Sequence, residues 1–109
     1  MSTITTHVLD TVPGKPAAGV TVLLERSEGH QWNVVSSGIT DKDGRCRDLA
    51  QNAKKGVYRL TFVVGSYLAR KKRASIYPLI NVTFTCTGKG HYHLPLLLSD
   101  NSYTTYRGS

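Results

Sequence analysis

Short runs of β-branched and apolar residues recur along this chain with turn-forming residues between them, and that pattern constrains the fold more than any other feature. Ile4 to Leu9 (ITTHVL) reads as a strand with Ile4, Thr6 and Val8 on one face and Thr5, His7 and Leu9 on the other. Pro13-Gly14 and Pro16 make a loop, and Val20 to Glu25 is a second strand. Gln31 to Ser36 alternates around Trp32 and Val34 as a third. Asp43-Gly44 tips a turn, after which Arg45 to Asp48 predicts a short edge strand and Gln51 to Gly56 a polar loop. Val57 to Val63 sets Tyr58, Leu60 and Phe62 against Val57, Arg59, Thr61 and Val63. Ser66 to Arg73 (SYLARKKR) lacks Gly and Pro and predicts two turns of helix, broken at Tyr77-Pro78. Ile80 to Thr87 is a strand with Val82, Phe84 and Cys86 on one face. Such spacing predicts an all-β sandwich, and one isolated helix cannot build parallel βαβ units. A chain of 109 residues has room for a single domain, residues 1–109.

The closing stretch, HYHLPLLLSDNSYTTYRGS, predicts two short strands joined by a turn. Tyr92, Leu94, Leu96 and Leu98 share one face, which must be core. His91, His93, Pro95 and Leu97 share the other. A face of that composition is not simply solvated, and it predicts cover by a second subunit or the wall of a pocket.

Fourteen Lys and Arg against seven Asp and Glu leave a formal charge of +7, which favours anionic partners without choosing among them. The Arg70-Lys71-Lys72-Arg73 run is flanked by Tyr67 and Tyr77, but no nucleic-acid motif accompanies it. It reads as a solvated helix face, so neither a nucleic-acid nor a membrane partner is expected. Met1 to His7 has neither a basic n-region nor an apolar h-region, and no apolar run reaches membrane-spanning length. Cys46 and Cys86 are therefore expected as reduced thiols in a cytoplasmic protein.

Other motifs weigh less. His91-x-His93 puts two imidazoles on one face, but no third metal ligand stands nearby in sequence, so no metal is expected. Cys46 lies between Arg45 and Arg47 without a histidine partner in the same motif. Asp41-Lys42-Asp43-Gly44 lacks the downstream Glu of a calcium loop, Ala50 standing in its place, and reads as a β-turn. Asn81-Val82-Thr83 fits a glycosylation acceptor but falls in a predicted strand.

Four motifs in order, THVLD, GKPAAGV, TDKDGR and the closing HYHLPLLLSDNSYTTYRGS, resemble the transthyretin-related 5-hydroxyisourate hydrolases over essentially the whole chain. The Tyr-Arg-Gly-Ser tail is the specific signal, and plain transthyretins have neither it nor the histidines. The resemblance implies a transthyretin-like antiparallel β-sandwich of two four-stranded sheets with one short α-helix. It implies a homotetramer built as a dimer of dimers, with active sites in the channel between dimers. It also implies hydrolysis of 5-hydroxyisourate in urate catabolism without a cofactor. His7, Arg45, His93 and Ser109 would be catalytic, with His7, Arg45, Tyr106, Arg107 and Gly108 meeting substrate. The basic run departs from the acidic or mixed residues of many members and implies altered surface charge.

Opening an activated cyclic amide needs a base for water, a cation for developing negative charge and a site that orients the ring. Imidazole titrates near neutrality, so His7 and His93 are expected to act as a pair, in either order. Arg45 offers a planar fork of donors. Arg107 would add charge or fix the tail, Gly108 would permit close backbone approach, and the Ser109 carboxylate could hold a histidine or a substrate N–H. The competing expectation is a transthyretin-like carrier of a hydrophobic ligand such as a thyroid hormone, which would want a wider, apolar channel.

Overall fold

The computed structural model describes residues 2–109. Nine strands and one helix follow in order: β1 (Ser2–Asp10), β2 (Lys15–Pro16), β3 (Thr21–Glu28), β4 (Gln31–Ile39), β5 (Arg45–Ala53), β6 (Gly56–Val63), α1 (Val64–Arg70), β7 (Ile80–Cys86), β8 (Gly90–Leu98) and β9 (Tyr103–Thr105). They form two sheets. One has the order β4-β3-β6-β7. The other runs β2-β1-β8-β9, with β5 also on β1. β5 pairs with Ser2 to His7 of β1, and β2 pairs with Leu9 and Asp10 further along the same edge. Each sheet is thus four strands wide.

Between the sheets lie Ile4, Val8, Leu94, Leu96 and Leu98 from one side and Val22, Leu24, Leu60 and Phe62 from the other, all buried. β1 alternates strictly between buried and half-buried residues, as a strand with one core face must. Several strands differ from the sequence expectation, among them Lys15–Pro16, which pairs with β1 where a loop was expected. β5 continues to Ala53, through residues read as a polar loop. It does so because irregular pairing with β1 slips its register twice, which hides the alternation. Pairing is antiparallel except between β1 and β8, which run parallel from Ser2↔Gly90 to Asp10↔Leu98. The rest of the chain is the crossover that a parallel pair requires.

The helix starts two residues earlier than the sequence suggests and ends three earlier. It buries Val64, Tyr67 and Leu68, one face at helical spacing. Lys72 ends it in the left-handed region with φ 58°. That turn corrects the reading of the basic run as a solvated helix face. Arg73 turns inward and grips the fully buried Asp10 carboxylate through two bonds of 2.6 and 3.0 Å. Arg73 also bonds Asp100 at 2.7 Å, and Tyr67 donates its hydroxyl to Asp10 at 2.9 Å. A carboxylate inside a sandwich demands such partners. The cluster ties the end of β1 to the helix and to the turn after β8.

Candidate active site

The outer face of the sheet that contains β1, β5 and β8 carries the side chains that alternation excludes from the core. Thr5 and His7 come from β1, Arg45 and Arg47 from β5, and His91, His93 and Pro95 from β8. Register brings them side by side: Thr5 lies opposite His93, and His7 lies between Arg45 and Pro95. An open cleft of about 360 Å³ lies on this face, lined by Thr5, Thr6, Arg45, Arg47, His91, His93 and Ser109.

The last residues fold back over β8. Gly108 donates its N–H to the His93 carbonyl at 2.7 Å, and Thr105 donates its hydroxyl to the Pro95 carbonyl at 2.8 Å. A Cβ on Gly108 would stand 2.9 Å from His93 Cδ2 and 3.3 Å from Pro95 Cγ, so only glycine lets the tail lie this close. Arg107 places its guanidinium 4.2 Å from the Tyr92 ring centre and donates to the His91 carbonyl at 3.0 Å. These contacts set Ser109 into the cleft.

His93 bonds Thr5 Oγ1 through Nδ1 at 2.8 Å. Burial lowers its pKa below the ordinary 6.5, and the positive fields of His91, His7 and Arg45 push the same way. The ring is therefore neutral at pH 7 and able to accept a proton. His7 donates Nε2–H to the Asp43 carbonyl at 2.7 Å, since a carbonyl can only accept. Arg45 and Arg47 make no ion pair among the described residues. Asp41 Oδ1 instead accepts the Asp43 and Arg45 backbone N–H groups, which shapes the turn before β5. The cleft thus offers a neutral imidazole beside two free guanidiniums, suited to a small, polar, electron-rich ligand.

Of the residues named from sequence, Arg45, His93 and Ser109 meet in the cleft, and His7 flanks Arg45 just beyond its lining. Tyr106 is half exposed, and it, Arg107 and Gly108 lie outside the lining. Arg107 and Gly108 instead fasten the tail. Thr5, Thr6 and Arg47 line the cleft without having been named as site residues, as does His91, which the sequence offered only as half of a metal pair. Alternation contained the signal for three of them. Thr5 shares the face of His7, Arg47 follows Arg45 by two, and His91 precedes His93 by two. Cys46 is a buried free thiol whose pKa burial raises, with Asp48 and Asp41 adding to the rise, so it is no activated nucleophile. No group of three or more His, Cys, Asp or Glu side chains placed to hold a metal ion occurs among the described residues. None of their helices is long and apolar enough to cross a membrane.

Known proteins share this fold. A profile of the HIUase/Transthyretin family matches residues 4–108. A 5-hydroxyisourate hydrolase of Salmonella dublin is 43% identical over 109 aligned residues, covering 97% of this chain and 80% of the relative. The structure of Klebsiella pneumoniae 5-hydroxyisourate hydrolase superposes with a TM-score of 0.90 at 38% identity, with 100% of both chains covered. Sea bream transthyretin in complex with thyroxine superposes equally well, with a TM-score of 0.92 at 30% identity over 96% of this chain and 93% of that one. Backbone shape alone does not separate a hydrolase from a carrier.

Proposed function

The chain belongs to the HIUase/transthyretin family, and we propose that the cleft on the β1-β5-β8 sheet is where it opens the ring of 5-hydroxyisourate. The activity is that of a cyclic amide hydrolase in urate breakdown, yielding 2-oxo-4-hydroxy-4-carboxy-5-ureidoimidazoline. The observation that carries the site is convergence: Arg45, His93 and Ser109, from β5, β8 and the tail, line one cleft.

His93 serves as general base, because it is the imidazole held neutral within the cleft. It takes a proton from water, whose oxygen attacks the activated ring carbonyl. Arg45 holds the carbonyl oxygen as negative charge develops there. The ring C–N bond then breaks, the leaving nitrogen takes the proton back from His93, and the carboxylic acid so formed releases its remaining proton to solvent as a carboxylate. His7 flanks Arg45 and orients the substrate edge. The Ser109 hydroxyl accepts a substrate N–H. Arg107 and Gly108 hold the tail that carries it, and Tyr106 closes the mouth.

A cleft open on one side suits completion by a second copy. We place it in the channel between two dimers of a homotetramer, measurable by sedimentation. Two buried free thiols fit a reducing, cytoplasmic setting. The carrier reading has the sea bream likeness in its favour. Two guanidiniums and two imidazoles in the cleft favour a polar, acidic ring over an apolar hormone. The test generates 5-hydroxyisourate in situ from urate and follows its decay. Accelerated decay is expected. No acceleration over the spontaneous rate, together with tight thyroxine binding, would establish the carrier.

A further inference from the structure

Along the cleft, the parallel pairing of β1 and β8 assembles a row of four polar side chains. Thr3 lies beside His91, and Thr5 beside His93. Thr3 Oγ1 is hydrogen-bonded to His91 Nδ1. Thr5 Oγ1 stands 3.4 Å from His91 Nε2 and 2.8 Å from His93 Nδ1. The two rings are nearly parallel, 10° apart with centroids 6.1 Å from each other.

Proton counting narrows what this row can do. A neutral imidazole has one N–H and one lone pair, and a hydroxyl has one hydrogen. Thr5 faces two ring nitrogens with one hydrogen, so it donates to at most one of them; where it accepts from both, His93 Nδ1 carries the hydrogen and Nε2 is bare, and where it donates to one, two arrangements remain. In the first arrangement Thr5 donates to His91 Nε2 and accepts from His93 Nδ1–H, while His91 donates Nδ1–H to Thr3. His93 Nε2 is then bare. In the second every bond reverses and His93 Nε2 carries the hydrogen. Of these two, only the first survives the reaction. When His93 takes a proton at Nε2, its Nδ1–H still meets an accepting Thr5 oxygen. In the second arrangement the proton on His93 Nδ1 would confront the Thr5 hydroxyl hydrogen.

We propose that Thr5 is a positioning residue which, oriented by His91 and Thr3, holds His93 in the Nδ1–H tautomer and leaves Nε2 as the base. The inference rests on the reading of His93 as general base. Thr5 touches no reacting atom. It acts by deciding which nitrogen of His93 has a lone pair, as orienting partners of functional histidines do elsewhere.

The test reads tautomers directly. Protein labelled with [15N]histidine is compared as wild type, Thr5→Val and Thr5→Ser by long-range 1H–15N spectra, alongside steady-state kinetics on 5-hydroxyisourate. In the wild type, His93 should show a protonated Nδ1 and a bare Nε2. Thr5→Val should erode that preference and lower kcat by about 10- to 100-fold with little change in KM, the scale of losing an orienting partner. Thr5→Ser, which keeps the hydroxyl, should restore both. An Nε2–H tautomer in the wild type overturns the proposal. So does a Thr5→Val variant with unchanged tautomer and kcat. The tautomer found as expected in a protein that does not hydrolyse the substrate would uphold the row and remove the base assignment. Hydrolysis with the opposite tautomer would do the reverse.

Discussion

Replacing Gly108 by Ala adds one methyl group against the His93 ring. Gly108 does not have a left-handed φ, so the substitution brings no backbone strain and acts by contact alone. The new Cβ would stand 2.9 Å from His93 Cδ2 and 3.3 Å from Pro95 Cγ. Carbon atoms rest at about 3.5–4.0 Å, so ring or tail must yield by roughly 0.6–1.1 Å. The proline ring cannot turn away. If His93 yields, it leaves its 2.8 Å bond to Thr5. A displacement of about 1 Å in a catalytic group costs on the order of 10²-fold in rate. If the tail yields, the 2.7 Å bond from Gly108 N–H to the His93 carbonyl is lost and Ser109 leaves the cleft. That bond contributes about 0.5–1.5 kcal/mol. Gly108→Ala should therefore cut kcat/KM by about 10²-fold while lowering stability by no more than about 1.5 kcal/mol. Thr104→Ala, on the exposed side of β9, serves as control and should leave the rate unchanged. The assay is 5-hydroxyisourate decay together with urea unfolding at fixed protein concentration, because assembly makes stability concentration-dependent. Full activity in Gly108→Ala would refute the close packing of tail on His93 as a requirement of the site.

His93→Ala should lower kcat by roughly 10²–10⁴-fold with assembly intact, and unchanged turnover would remove His93 from the mechanism. Because the His93 pKa is depressed, its neutral form persists below pH 6.5, so the acid limb of the kcat/KM profile should fall below that value. A limb at or above 6.5 contradicts the assignment. Burial works to raise the Asp10 pKa, but hydrogen bonds from Arg73, Tyr67 and the Val12 N–H outweigh it and hold the carboxyl below 3.8. This stabilisation is full above the ordinary carboxylate range and disappears as pH falls through the folded-state value. Arg73→Met should cost about 3–5 kcal/mol at neutral pH, as when a buried pair loses one partner, and the difference from wild type should shrink in acid. A loss under about 1 kcal/mol in urea unfolding would make it an ordinary surface pair. Ser109→Ala should impair turnover, whereas a fully active variant would show that the Ser109 hydroxyl is not used.

Strand faces were legible wherever pairing is regular. Ile4, Thr6 and Val8, and likewise Tyr92, Leu94, Leu96 and Leu98, are buried as alternation requires. The far half of β5 was not legible, because two register slips break the period that a linear reading relies on. Asp10 and Arg73 were read apart, one in a strand motif and one in a basic run. Nothing local to either announces a partner 63 positions away.

The sequence by itself determined that this chain is a β-sandwich with one polar, histidine-bearing face, because a period of two belongs to the chain and needs no partner to be seen. It also contained the motifs that mark the family. Only the tertiary structure decided which polar groups meet. Thr5 reaches His93 across 88 positions because β1 and β8 lie parallel with both core faces packed inward, and a slip of one residue would bury the histidines. The tail enters the cleft because Gly108 has no side chain to strike the ring beneath it.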